Sequence, residues 1–235
     1  MEHIPSINLY FDDYYESFYL IRFGKKEHLK QIQNGFIRFS NFKKYQIIEN
    51  NNIGDTYEGL SSIHYTDKNT KIYFSHPNII NNSEIDYTKS IKSMWNYPYL
   101  NMYISCFSYF TAKDIHDNNI FDDSILEKEE WDNVLLILDT KGFVENIFNS
   151  IKIFNPVIRK VKYYDYNKNQ ENLNIFSKSL KYEFQKEIRF AFNMIEENYN
   201  TVNRIDEYTV EISFEKVQCV IIPTNELKNG FYFEK

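Results

Sequence analysis

Glu187 is the residue best placed to do chemistry. It stands in Phe184-Gln185-Lys186-Glu187-Ile188-Arg189-Phe190, where apolar and polar residues alternate onward to Phe192. On a strand of period two, Ile188, Phe190 and Phe192 share one face and Glu187, Arg189 and Ala191 the other. The apolar face can then enter a core while Glu187 and Arg189 face a cleft or water. A carboxylate held in a cleft can stabilise positive charge that develops as a bond breaks. Gln185, two residues earlier, shares that face. The plainer alternative is a Glu187–Arg189 ion pair on an exposed strand, which stabilises little. Two serines, Ser105 and Ser108 in Ile104-Ser105-Cys106-Phe107-Ser108, are three apart and cannot share a face of an ideal strand.

The elements that must position these residues alternate along the chain without a linker. Residues 18–40 open with an apolar run that ends in Arg22. Leu29 and Ile32 follow at helical spacing, Gly35 stops the helix, and Phe36 to Phe39 alternates again. That reads as strand, short helix, glycine cap and strand. Ser62 to Tyr65 and Lys71 to Phe74 predict two strands around a turn at 67–69. Residues 77–90, rich in Asn, Ser and Asp, predict a loop or a weak helix. Tyr103 to Tyr109 reads as a central strand, Ile125 to Trp131 as a short charged helix, and Val134 to Leu138 as a buried strand. Phe143, Ile147 and Ile151 mark one face of an amphipathic helix. Val157 to Tyr166 reads as one strand, 167–174 as a polar break, and Val210–Phe214 and Val217–Ile222 as closing strands. Glycines and prolines are few, 6 and 5, so no flexible hinge divides the chain and a single domain over 1–235 is expected. Many strands with short helices place it in the α+β class.

Composition excludes several roles. The aromatic fraction of 18%, with 20 Tyr and 20 Phe, demands a largely aromatic core. A net charge of −6 argues against a general electrostatic grip on nucleic acid, which a surplus of Lys and Arg would supply. Cys106 and Cys219 read as buried reduced thiols. The start of the chain has no signal-peptide pattern and no apolar run approaches the ~20 residues of a spanning helix, so a cytoplasmic protein without a membrane partner is expected. No Gly-x-Gly-x-x-Gly, Gly-Lys-Ser/Thr phosphate loop or Gly-x-Ser-x-Gly elbow occurs. The five histidines show no His-x-x-x-His spacing and the cysteines are not paired, so no metal site is signalled.

Arg22, the serines of Ser105-Cys106-Phe107-Ser108 and the Gln-x-Glu of Gln185-Lys186-Glu187 follow one another in an order that resembles the Arg-Ser-Glu group of ADP-ribosyltransferases. A second resemblance is carried by Tyr19-Leu-Ile-Arg-Phe, Gly35-Phe-Ile-Arg-Phe-Ser, Gly54-Asp55-Thr56-Tyr57-Glu58-Gly59, Cys106-Phe-Ser and Glu187-Ile-Arg. These look like a bacterial domain family of unknown function, with Thr56 where proline is usual, akin to DarT-like toxins and phage-defence proteins. The resemblance implies split, mainly antiparallel sheets around a cleft with short flanking helices, and NAD as substrate without any other cofactor. Glu187 would hydrogen-bond the ribose 2′-hydroxyl and stabilise an oxocarbenium-like state, and Gln185 would position the acceptor group. Arg22 would grip the NAD phosphates or ribose, for which a guanidinium fork is suited; the plainer reading is a surface arginine. Ser108, or else Ser105, would brace the site, although the family's Ser-Thr-Ser run is here Ser-Cys-Phe-Ser. Tyr45 and Phe42 read first as core packing in a chain this aromatic, with stacking on nicotinamide or adenine as the alternative, and Asp55 and Glu58 read equally as helix-start caps. The implied partners are a macromolecular acceptor, protein or nucleic acid, and an antitoxin or regulatory protein. Two other classes stand beside this one. The chain could be a non-catalytic binding or regulatory module on the same fold. A metal-dependent nuclease built on Asp55, Glu58 and Glu187 would need converging carboxylates with a lysine and magnesium, and the spacing does not point there.

Overall fold

The computed structural model describes residues 18–41, 44–45, 60–65, 92–96, 101–111, 113–114, 131–168, 170, 172–194 and 202–227. In chain order the strands are β1 (Phe18–Gly24), β2 (Phe36–Asn41), β3 (Leu60–Tyr65), β4 (Lys92–Asn96), β5 (Met102–Thr111), β6 (Asn133–Ile137), β7 (Val157–Lys160), β8 (Lys162–Tyr164), β9 (Ser177–Ser179), β10 (Glu187–Asn193), β11 (Asn203–Asp206), β12 (Thr209–Ser213) and β13 (Cys219–Pro223). The helices are α1 (Lys26–Gln33), α2 (Thr140–Ile151) and the short α3 (Thr224–Leu227). Strands outweigh helices and the main sheet pairs antiparallel throughout, in keeping with the α+β class.

β5 is the strand around which the sheet divides. Along one edge it pairs with the whole of β10, from Glu187↔Ser108 to Asn193↔Met102. Its other edge is shared. β1 takes the C-terminal half, from Phe18↔Thr111 to Ile21↔Ser108, and β2 takes Ser40↔Ile104 and Asn41↔Tyr103. Neither reaches Ser105, Cys106 or Phe107. Beyond Ile21, β1 runs on against β6, as far as Gly24↔Asn133, while β2 continues against β12. Both run antiparallel to β5 and so parallel to each other, which requires a crossover connection. α1 supplies it, burying Leu29 and Ile32. The helix ends at Gly35, whose φ of 87° favours glycine; an added Cβ would lie 2.6 Å from the Phe214 carbonyl oxygen, so β2 could not enter beside β12 with any larger residue.

The periodicity of β10 sorts its side chains as the sequence predicts. Ile188, Phe190 and Phe192 enter the main core with Phe39, Phe107, Phe143 and Phe154. Phe143 lies edge-on to Phe190 at 6.1 Å and Phe107 does so at 5.5 Å, the arrangement that ring quadrupoles prefer. α2 brings Phe143, Val144, Ile147 and Ile151 onto this face; it starts where the Asp139 carboxylate accepts from the Gly142 N–H at 2.9 Å. On the opposite face Ala191 packs with Ile104, Ile175 and Phe176.

Several expectations are corrected. The strand expected over Val157–Tyr166 is two strands: β7 pairs with β10, and after Val161 the chain turns away so that β8 pairs in parallel with β9. β3 pairs with β4, while Lys71–Phe74, its expected partner, lies outside the described residues, as do 77–90 and 125–130. Neither cysteine is fully buried; both are free and partly exposed. Phe190 has no exposed surface, so Phe190→Ala should lower stability in urea unfolding by about 3–5 kcal/mol. Val157→Ala, at a partly exposed edge position, should change it by no more than about 0.5 kcal/mol.

Candidate functional site

β10 begins at Glu187 itself, which corrects the placing of Gln185. Leu180–Gln185 is a 3-10 helix, and Lys186 after it adopts the left-handed conformation at φ 41°. A non-glycine residue there costs roughly 1–3 kcal/mol and persists only where its surroundings fix it. Here the Lys186 N–H donates to the Glu183 carbonyl, and its carbonyl accepts from the Tyr109 N–H at 3.0 Å. Its ammonium pairs with Asp114, which in turn accepts from the N–H and hydroxyl of Thr111 at 2.7 and 2.9 Å. Gln185 therefore shares no strand face with Glu187; the left-handed turn brings the two side chains together instead.

Lys178 of β9 joins them. Its ammonium donates to Gln185 Oε1 at 2.8 Å and to Glu187 Oε2 at 2.7 Å, and it lies 5.0 Å from the centre of the Tyr182 ring. Arg189 donates from Nε to Glu187 Oε1 and from Nη1 to the Ile175 carbonyl. The Glu187 backbone N–H donates to the Tyr163 hydroxyl at 2.8 Å. Lys178, Glu187 and Arg189 are all buried. Arg189 was expected at a cleft or in water and has no exposed surface, because the Glu187 carboxylate and the Ile175 carbonyl supply acceptors inside the fold. The exposed ion pair is likewise replaced by a buried triad. Burial alone would raise the Glu187 pKa, but the charges and hydrogen bonds of Arg189 and Lys178 outweigh it and hold the carboxyl far below the usual carboxylate range. Burial, reinforced by the Glu187 charge, pushes the Cys106 thiol and the Tyr163 phenol well above their ordinary values, so both are neutral at physiological pH.

A pocket of about 190 Å³ opens where the sheet divides. Residues from both faces line it, since the gap opposite Ser105–Phe107 connects them. From one side come Arg22 and Phe107, with the guanidinium 5.1 Å from the ring centre. From the other come Phe23, Cys106, Ser108 and Glu187; Ser108 stands directly opposite Glu187 in the ladder. Lys178 and Gln185 form part of the wall, with Tyr45 and Trp131. Trp131 stacks on Phe23 at 5.5 Å and 22°, and Tyr45 packs beside the Ile104–Phe176 cluster. Ser105 is fully buried and does not line the pocket; its hydroxyl accepts from Arg22 Nη1 at 2.7 Å and fixes the guanidinium. The two serines thus sit on opposite faces, as their spacing requires.

Of the residues singled out in the sequence, Arg22, Tyr45, Ser108, Gln185 and Glu187 are brought to one pocket. Phe42, Asp55 and Glu58 lie outside the described residues. Lys178 escaped sequence reasoning because a three-residue strand carries no periodicity; Phe23 entered only as the end of the Tyr19-Leu-Ile-Arg-Phe motif, and Trp131 only as the end of a short charged helix. Among the described residues no group of three or more His, Cys, Asp and Glu side chains could hold a metal ion, and no helix is long and apolar enough to cross a membrane. No protein-family model matches the chain, and neither a curated protein nor a solved structure matches it.

Lys178→Met leaves Glu187 paired with Arg189 but strips the Gln185 amide oxygen and one Glu187 oxygen of a donor, so it should destabilise the fold by about 1–3 kcal/mol in urea unfolding. The pH dependence has a definite sign. The folded pKa of Glu187 lies below the unfolded value, so its stabilisation is complete above the unfolded value and is lost as pH falls through the folded one. The stability gap between wild type and Glu187→Gln should hold constant above about pH 5 and narrow in stronger acid, as urea unfolding across a pH series would show.

Proposed function

We propose that this chain is an NAD-dependent ADP-ribosyltransferase of the Arg-Ser-Glu kind, a cytoplasmic toxin or defence effector that modifies a macromolecule. One observation carries the reading: Arg22, Ser108, Gln185 and Glu187, from stretches far apart in sequence, line a single pocket at the division of the sheet. The division itself, with β1 and β2 parting along one edge of β5, supports split sheets around a cleft. The pocket is smaller than the ~300–1,000 Å³ of sites that bury a drug-sized ligand whole. It suits the nicotinamide and its ribose rather than the complete dinucleotide.

In this reading the bond from ribose C1′ to the nicotinamide nitrogen breaks, the nitrogen keeps the electron pair, and positive charge spreads over C1′ and the ring oxygen. Glu187 stabilises that charge and accepts from the 2′-hydroxyl. A carboxylate offers about four lone-pair sites, so the bonds from Lys178 and Arg189 leave room for a further donor. Arg22, oriented by Ser105, meets the pyrophosphate, with a guanidinium suited to bidentate contact. The acceptor then bonds to C1′ and releases its proton to water, with Gln185 beside it for orientation.

A second reading has its own support. Both oxygens of Glu187 already face cations, which compensates the charge that catalysis would use and suits a non-catalytic binding module. Incubation of labelled NAD with cell extract separates the two. The transferase reading predicts that wild type consumes NAD and transfers label. Glu187→Gln, checked for folding, should then retain most NAD affinity while turnover falls by about 10²–10³ or more. Arg22→Ala should weaken NAD binding by calorimetry, and expression of wild type but not of Glu187→Gln should inhibit growth. Equal turnover by wild type and Glu187→Gln, or no consumption by either, would favour the binding module.

A further inference from the structure

Lys186 lies between the two pocket residues that meet Lys178, and its backbone decides how they stand. In the left-handed conformation, at φ 41° and ψ 59°, it turns the chain so that Gln185 Oε1 and Glu187 Oε2 reach one ammonium at 2.8 and 2.7 Å. Were Lys186 extended, the ladder would run on from Glu187↔Ser108. Gln185 would then stand opposite Phe110, about 7 Å further along the strand and away from the division of the sheet. A lysine does not favour the left-handed region by itself, so its surroundings must hold it there. The bonds to the Glu183 carbonyl and the Tyr109 N–H hold its backbone. Its side chain is held from another part of the chain, by Asp114.

We infer that Asp114 is a positioning residue for this pocket: by pairing with Lys186 it keeps the turn left-handed and so keeps Gln185 beside Glu187. Asp114 does not line the pocket and acts through the turn. Its carboxylate is fixed in advance by the N–H and hydroxyl of Thr111, at 2.7 and 2.9 Å, and its own N–H donates to that hydroxyl at 3.2 Å. A partner already in place spares much of the ordering entropy that weakens an exposed ion pair. Thr111 ends β5 opposite Phe18 of β1, so the anchor for the turn is the main sheet. A glycine at 186 would enter the left-handed region at no steric cost and make Asp114 dispensable to the turn.

That last consequence supplies the test. The side-chain amide signal of Gln185 in ¹⁵N-labelled protein, assigned by its loss in Gln185→Leu, reports the turn without any ligand. Asp114→Asn should displace or broaden it, and adding Lys186→Gly to Asp114→Asn should bring it back toward its wild-type position. If Asp114 served only to close the Thr111 turn, glycine at 186 would restore nothing. An unmoved signal in Asp114→Asn, or a displaced one that glycine does not recover, would overturn the inference. Should Asp114→Asn fail to fold, Lys186→Ala and Lys186→Gly decide, since both remove the ammonium and leave the Thr111 bonds intact. Alanine should displace the signal and glycine should not; the same result for both would overturn the inference. The consequence for transfer rests on the function proposed above: Asp114→Asn should lower label transfer about tenfold or more, as small misplacements of positioning groups do, and Lys186→Gly in that background should restore it. Absence of turnover in wild type would count against the transferase reading, while the amide signal still decides the role of Asp114.

Discussion

A buried carboxylate must be matched by charge and hydrogen bonds, or it takes up a proton. Glu187 is such a group, and the surrounding architecture answers that demand. Arg189 comes from the same strand and face, Lys178 from the short strand β9, and Tyr163 from β8 receives the Glu187 backbone N–H. The parallel pairing of β8 and β9, which sets Tyr163 opposite Lys178, delivers Lys178 to the carboxylate and Tyr163 to the backbone N–H of the same residue. The division of Val157–Tyr166 into two strands follows from the same requirement: a single strand running on beside β10 would not place Tyr163 against β9.

β5 couples this electrostatic cluster to an open pocket. On one edge β10 holds Glu187 and Arg189 in register with Ser108 and Cys106. On the other, β1 and β2 cannot both pair with the middle of the strand, because the α1 crossover carries the chain sideways between them. The gap admits Arg22, which the buried Ser105 hydroxyl and the Phe107 ring hold in place. One strand thus presents a serine to each face, the first orienting the guanidinium and the second lying beside the carboxylate.

The elements legible in the sequence are those with a long period or a hard steric signal. Leu29 and Ile32 before Gly35 define α1, and Phe143, Ile147 and Ile151 define α2. The alternation of Ile188, Phe190 and Phe192 sorts the two faces of β10. The division at β5 left no such mark, because its apolar run reads the same whichever strands flank it. The left-handed turn at Lys186 was hidden by the alternation, which continues through Phe184 and Gln185 as though the strand began earlier; a lysine gives no hint of positive φ. Candidate site residues were legible only so far as a pattern linked them. Glu187, Gln185, Arg22, Ser108 and Tyr45 were found that way, whereas Lys178, which joins Gln185 to Glu187, stands in a three-residue strand and could be found only in three dimensions.

The central claim is that the pocket at the division of the sheet receives the nicotinamide end of NAD with its ribose on Glu187. A crystal structure of the protein with a carbocyclic NAD analogue, which binds without cleavage at the glycosidic position, tests it most directly. The account predicts the 2′-hydroxyl within about 3 Å of a Glu187 oxygen, the pyrophosphate on Arg22, and Lys178 still bonded to Gln185. An analogue seated elsewhere on the molecule, or lying in the pocket with no contact to Glu187 or Arg22, would contradict it.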